Sequence, residues 1–446
     1  MADRAAVIDQ GRRLAPRLRR ELGVLPLAAI VFFNVSGGPY GIEDTVPTFG
    51  PGLTLLLLVL TPLLWSLPVS LAMSELASAM PDEGGYVTWT ARAFGPFWGF
   101  QVGWWSWLDS FVDVAVYPTL FVAYLRYWYP TMPPLERWLL ALAFIALLTT
   151  LNLLGVRPTG RVAVALSIAA LAPVALLVVL GLPRVVAPPW TPFAVEGHTL
   201  VSGIGVGLAV MMWNYSGWDT PSTVLGETRA PQNSFRRALL LAVPLVAVAN
   251  LLPVGIVLAS GGTDWRTWTT GGLPTLAAHV GGAWLGHAMA AGAVLSSAGL
   301  FMALLLTNSR LPYVLARDGT LPRGLAAVHP RFGTPWAAVL VSAVAYAVCA
   351  MFSFKELIVL NIWLYSLPLL VELAAFLALR ATAPTLPRPW RVPGGTLGAL
   401  AVTIPPALFA LGAMATAGWG NTLAGVAAAL SGPLVWWLAR RASFRR

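Results

Sequence analysis

Lysine, cysteine and histidine are almost absent from this chain of 446 residues: one lysine (Lys355), one cysteine (Cys349) and four histidines. A lone cysteine excludes an internal disulfide and any cysteine-held metal cluster. The histidines (His198, His279, His287 and His329) lack ligand spacing, so no metal site is expected. Charge is scarce as well. Only 10% of residues are charged, against roughly 25% in an average soluble protein, and mean hydropathy is +0.74. A soluble globule could not cover its surface with so few polar groups. No basic stripe with interleaved aromatics accompanies the net charge of +10, so nucleic acid is not an expected partner. What is present in abundance is apolar sequence, 57% of the chain. The composition is that of a polytopic membrane protein.

A span needs about 20 mostly apolar residues to cross hydrocarbon. Twelve candidates follow, at about 24–48, 53–79, 97–129, 137–155, 162–182, 200–225, 238–260, 283–306, 335–353, 356–379, 397–416 and 421–439. The arginines before the first span precede a full-length apolar segment with no cleavage site, so they read as a tail rather than a signal peptide. With that tail in the cytoplasm, 23 of the 28 basic residues fall on the cytoplasmic side and 5 opposite. The positive-inside rule needs only a bias of this sign. Both termini are therefore predicted to be cytoplasmic.

The first span reads VFFNVSGGPYGIEDTV and the sixth MMWNYSGWDTPSTVLGE. Each carries N-x-S-G (Asn34 to Gly37, Asn214 to Gly217) and then helix-breaking residues. Small residues also serve helix packing, but two breaks at equivalent places in two five-span units point to an inverted-repeat transporter with its site between them. Unwound backbone is tolerated in hydrocarbon only where it lines a cavity or is buried in protein. The helices are expected to be discontinuous at 36–39 and 215–219, crossing the third and eighth spans around a cavity.

Four blocks then carry a resemblance: SELASAMPDEGGYVTWTARAFGPFWGFQVGW (74–104), LNLLGVRPTGRV (151–162), WNYSGWDTPSTVLGETRAPQNSFRRAL (213–239) and NSRLPYVLARDGTLPRGLAAVHPRFGTP (308–335), with RPWRVPGG (388–395) as a linker. The chain resembles the amino acid–polyamine–organocation (APC) superfamily of secondary transporters along nearly its whole length. The resemblance implies an all-α integral membrane fold of leucine-transporter type, with twelve transmembrane helices. Its parts would be a basic tail (1–22), inverted repeat 1 (23–182), inverted repeat 2 (200–380), a Pro-rich linker (381–396), two appended helices (397–439) and a basic C-terminus (440–446). VSGGPYGIEDTV, LDSFVDVAVYPTLFVAYL and LPLLVELAAFLALR look like the polyamine-uptake branch. Many amino-acid permeases of the superfamily carry a lysine in the fifth span; the corresponding position here is Ala170.

Seven carboxylates (Glu43, Asp44, Glu75, Asp109, Asp113, Asp219 and Glu372) fall within the expected spans, and no arginine or lysine lies near the middle of any. An ionised carboxylate at a helix centre costs on the order of 3 kcal/mol, so these groups must be protonated, hydrated, or matched to a cationic substrate or a sodium ion. Glu75 reads as a structural cap or hinge. Asp109 and Asp113 share a helix face with Tyr117, and Glu372 stands alone among apolar neighbours. Around the breaks, Ser36, Gly37, Gly38, Tyr40, Glu43, Asp113, Trp213, Tyr215, Trp218, Asp219 and Glu372 are candidate substrate contacts. By resemblance, Trp213 takes the outer-gate aromatic position. Asp109, Asp113, Asp219 and Glu372 are candidates for proton coupling, and Ser296 with Ser297 for a sodium site.

These features predict a secondary transporter in the cell membrane, without a cofactor, coupling a proton (alternatively a sodium) gradient to uptake of polyamines or cationic amino acids. The alternative is a neutral amino acid permease of the same fold, as symporter or exchanger. No convergent nucleophile–base set supports an enzyme. Pro39 has no N–H to offer a substrate carboxylate, and Glu43 with Asp44 would repel one, which favours an organic cation.

Overall fold

A computed structural model describes residues 18–195, 211–351 and 354–443. The arginines up to Arg17, His198, the first half of the sixth span and the last two arginines lie outside the described residues. Helices follow in the order α1 (Val24–Val35), α2 (Thr45–Phe49), α3 (Pro51–Ala79), α4 (Tyr86–Phe94), α5 (Pro96–Leu125), α6 (Pro134–Leu153), α7 (Val156–Gly181), α8 (Pro231–Ala259), α9 (Leu273–Gly281), α10 (Ala283–Asn308), α11 (Arg310–Arg317), α12 (Trp336–Cys349), α13 (Phe354–Thr382), α14 (Gly395–Thr416) and α15 (Trp419–Ser443). Among the described residues nine segments are long and apolar enough to span a membrane, and α1 and α12 are shorter apolar helices. The protein is an all-helical, multi-pass membrane protein.

Local sequence sets the helix starts. Pro51, Pro96, Pro134 and Pro231 open α3, α5, α6 and α8, where a missing N–H costs nothing and φ is already helical. Packing then grades the spans. In the apolar window of α10 and its continuation into α11, 78% of the residues are buried, against 11% for α15. The eighth expected span is therefore the axis of the molecule, and the twelfth lies on its periphery.

The expected break in the first span is present but wider than the glycine pair. Helix α1 ends at Val35 and helical structure resumes only at Thr45, so Glu43 and Asp44 lie in unwound chain rather than in a helix. In the sixth span residues 211–214 are helical, 215–219 are not, and a 3-10 helix occupies Thr220–Glu227.

Two buried carboxylates fasten the arginine-rich end through ion pairs, and Glu75 corrects the expectation of seven carboxylates without a cation. Glu75 of α3 accepts from Arg380 Nε of α13 at 2.9 Å, pairs with Arg388 Nε at 3.2 Å, and accepts from the Val392 N–H at 2.8 Å. The RPWRVPGG linker thus folds back onto α3. Arg310, expected in a loop, is fully enclosed and grips Glu227 with Nε and Nη2 at 2.7 and 3.1 Å. Losing one partner of such a pair leaves an uncompensated buried charge, which costs about 3–5 kcal/mol. The segment entering α1 adds a backbone seam. Leu22 N–H donates to the Glu227 carbonyl and Arg229 N–H to the Leu22 carbonyl, at 3.0 and 2.8 Å.

Glu83, in the turn between α3 and α4, packs its carboxylate against Gly226, where a Cβ would collide with it. Burial pushes the Glu83 carboxyl up to about 8, with Glu227 adding to the rise and Arg310, Arg317 and Arg20 opposing it. The folded value lies above the ordinary 4.5, so the folded chain holds a proton that the unfolded chain releases. That contribution is complete below the ordinary value and is lost as pH rises through about 8. In detergent, Glu83→Gln should flatten the fall in thermal midpoint between about pH 5 and about pH 9, with its advantage over the parent greatest at the alkaline end. Parallel curves for the two proteins would remove Glu83 as the titrating group.

Candidate functional site

The unwound stretch 36–44 is held by five helices and by Thr270. Ser36 Oγ donates to Asn250 Oδ1 of α8 at 3.2 Å, and Ser296 Oγ of α10 donates to the Gly37 carbonyl at 2.8 Å. Tyr40 donates its hydroxyl to the carbonyl of Ala170 in α7 at 2.8 Å, the position where related permeases were noted to carry a lysine. Glu43 accepts from the Gly41 N–H at 2.9 Å, the Tyr124 hydroxyl of α5 at 2.7 Å and the Leu273 N–H of α9 at 3.2 Å. Asp44 accepts from the backbone and hydroxyl of Thr270 at 2.6 and 2.7 Å.

The glycine N–H groups of both breaks are engaged inside the protein. Gly37 donates to the Phe32 carbonyl at 3.2 Å and Gly38 to Ser36 Oγ at 3.4 Å. Gly41 donates to Glu43 and to Tyr124, both at 2.9 Å. In the sixth span Gly217 donates to the Tyr365 hydroxyl of α13 at 2.9 Å, and that hydroxyl donates to Asp219 Oδ1 at 2.5 Å.

Between the breaks lies a narrow cavity of about 10 Å³, lined by Val35, Ser36, Tyr40, Tyr117, Trp213 and Leu300 among others, room for about one water. Its walls come from the first, third, sixth and eighth expected spans. On one side Tyr117 and Trp213 stack with ring centroids 6.3 Å apart. Both donate to Asp113 Oδ1, the indole N–H at 3.2 Å and the phenol at 3.4 Å. Asp109, one turn earlier on α5, accepts from Asn361 Nδ2 of α13 at 3.0 Å. Glu372 differs from the other acids: it is buried, and among the described residues neither of its oxygens has a hydrogen-bond partner. No arginine or lysine pairs with Asp109, Asp113, Asp219 or Glu372 among the described residues. Buried polar groups are nearly always satisfied; Asp109, Asp113 and Asp219 each have a hydrogen-bond donor, Glu372 has none among the described residues, and none of the four lines the cavity itself.

The family model described as amino acid permease matches residues 22–437. The chain belongs to that family. It is also similar to the polyamine transporter PUT1 of Oryza sativa subsp. japonica, 36% identical over 392 residues that cover 88% of this chain and 73% of the relative. It is 35% identical to a probable polyamine transporter of Arabidopsis thaliana over 92% of this chain and 85% of the relative. The polyamine transporter RMV1 of the same plant is 33% identical over 87% of this chain and 79% of the relative. The permease is thus a membrane transporter and not an enzyme, with a pattern nearest the polyamine branch of the APC superfamily.

The structure brings only some of the sequence-derived candidates to the cavity, and Glu43, Tyr215, Trp218, Asp219 and Glu372 do not line it. Ser36, Tyr40 and Trp213 line the cavity, and Asp113 meets it through Trp213. Gly37 and Gly38 carry φ of +67° and +114° and form the turn itself. Tyr215 and Trp218 do not line it. Their polar atoms serve packing against α3: Tyr215 donates to the Leu58 carbonyl at 3.2 Å, and its own carbonyl accepts from Trp65 and Trp218. Glu43 is fully occupied in joining the first break to α5 and α9. Ser297 donates to the Ala293 carbonyl of its own helix at 3.0 Å, whereas Ser296 reaches the first break. Sequence reasoning missed Asn250, Asn361 and Tyr365. The available signal was polarity inside apolar spans, and for Tyr365 the spacing of two helical turns from Glu372.

Gly217 has φ of +95°, and a Cβ there would collide with the Asn34 carbonyl. A left-handed conformation alone costs a side chain about 1–2 kcal/mol. Gly217→Ala should reach the membrane yet lose uptake by at least about tenfold, scored as transport per molecule at the surface. Parental transport would show that the two breaks need not touch.

Proposed function

We propose that the permease is a proton-coupled secondary transporter that takes up polyamines, and more weakly cationic amino acids, by alternating access. The reading places twelve spans in the cell membrane with both termini cytoplasmic. Residues 23–182 and 200–380 form two inverted repeats, 381–396 a cytoplasmic linker, and 397–439 two added helices. The observation that carries the substrate class is the engagement of the break glycines. In inverted-repeat transporters the positive ends of broken helices receive a substrate carboxylate; here those N–H groups already have partners. The acids beside them have no cation partner among the described residues, so a diamine or triamine fits the charge of the site and an amino acid's carboxylate does not. The relatives named as polyamine transporters support the same direction.

In this reading Trp213 and Tyr117 cover one ammonium by cation–π contact with Asp113 beneath them. Glu372, buried without a hydrogen-bond partner among the described residues, is the group that takes up and releases the coupled proton, with Asp219 as its acidic neighbour and Asp109 and Asp113 as the further candidates. Ala170 leaves no span-five lysine for that task. Sodium drive through Ser296 and Ser297 is the competing mode. The family's description as amino acid permeases favours the second reading, a neutral amino acid symporter or exchanger.

Uptake of labelled putrescine into proteoliposomes under an imposed proton gradient tests both levels. Putrescine or spermidine should compete better than leucine or alanine, with arginine and lysine between. Glu372→Gln should weaken polyamine handling by about 1–3 kcal/mol and abolish the response to the gradient. Leucine uptake with no response to any diamine would replace the substrate reading. Sodium-dependent uptake that ignores the proton gradient would replace the coupling.

A further inference from the structure

A single hydroxyl lies between the break of the sixth span and α13. It accepts the Gly217 N–H at 2.9 Å and donates to Asp219 Oδ1 at 2.5 Å. Gly217 and Asp219 together present one backbone donor and one carboxylate. That pair is complementary to the head of an α-amino acid, whose carboxylate would take the N–H and whose ammonium would take the acid. Tyr365 therefore stands where a zwitterion would otherwise bind. Its ring is fixed by packing, 6.3 Å from the Trp65 ring between centroids, and its residue is buried. The break it closes adjoins the cavity: Asn214 lines the cavity, and Gly217 abuts Asn34 at the end of α1.

We propose that Tyr365 is a specificity-determining residue that excludes α-carboxylates by occupying the Gly217 N–H and Asp219 together. The inference rests on the polyamine reading above and adds the group that enforces it. A phenylalanine keeps the ring and deletes the hydroxyl, leaving the Gly217 N–H without its partner and Asp219 with only the backbone N–H groups of itself and Thr220. Such groups strongly favour any ligand that satisfies both. An amino acid does so; a diamine offers nothing to the N–H.

The test uses ligand pairs that differ by one α-carboxylate: agmatine and arginine, cadaverine and lysine, putrescine and ornithine. Inhibition constants are measured for each pair against putrescine uptake. The parent should favour the amine in every pair. Tyr365→Phe should shrink that preference at least about fivefold, chiefly through tighter binding of the amino acid. A loss of folding or insertion would scale both members of a pair alike, so the ratio reads recognition alone. If the phenylalanine variant is not recovered folded, Tyr365→Met, which also lacks the hydroxyl, gives the same reading. An unchanged ratio with a parent that prefers amines would overturn the role of Tyr365. A parent that prefers the amino acid in each pair would instead overturn the polyamine reading.

Discussion

Unwound backbone inside an apolar protein has no water to bond, and every N–H and carbonyl freed from a helix must find another partner. That constraint organises this permease. The first break frees nine residues from helix, and their partners come from α5, α7, α8, α9 and α10. The second break frees five more, held by α3 and α13. Each break thus recruits a polar residue from a neighbouring span, and the cavity lies where those recruitments converge. The proposed substrate class rests on the same requirement, because a donor already satisfied by a tyrosine or glutamate is not available to a carboxylate.

The arginine-rich end shows the opposite solution. There the charges are paired rather than left for a ligand: Glu75 with Arg380 and Arg388, Glu227 with Arg310. Each pair bridges elements distant in sequence, and the second is reinforced by the Leu22–Thr228 bridge. The two sets of acids therefore differ in surroundings, one paired with arginines across helices and one without a cation among the described residues, although both are carboxylates in apolar sequence.

Much of this was legible in the sequence because it depends on local composition. Apolar run lengths located the nine described segments long enough to span a membrane, although the first expected span leaves the helix at Val35, and the repeated N-x-S-G tetrad located both breaks. Asp109, Asp113 and Glu372 stood out because an acid in an apolar run is conspicuous wherever the chain folds. What could not be read was pairing. Glu75 and Arg380 are 305 residues apart, and nothing local shows that Arg310 is enclosed rather than exposed in a loop. Tyr365 and Asn250 were passed over for the same reason: an uncharged polar residue in a span announces itself weakly, and its importance comes from the broken helix it meets. Glu43 marks the reverse case, since its charge was visible but the three donors that hold it are contributed by α5, α9 and its own turn.

The most direct measurement is an experimental structure of the permease with spermidine bound. The account predicts that ammonium groups approach Asp113 beneath the Trp213 ring and the acids around Glu372, while the N–H groups of Gly37, Gly38, Gly41 and Gly217 keep their internal partners. A ligand held instead by those N–H groups, with Tyr365 displaced from Gly217 and Glu372 remote from any nitrogen, would contradict it.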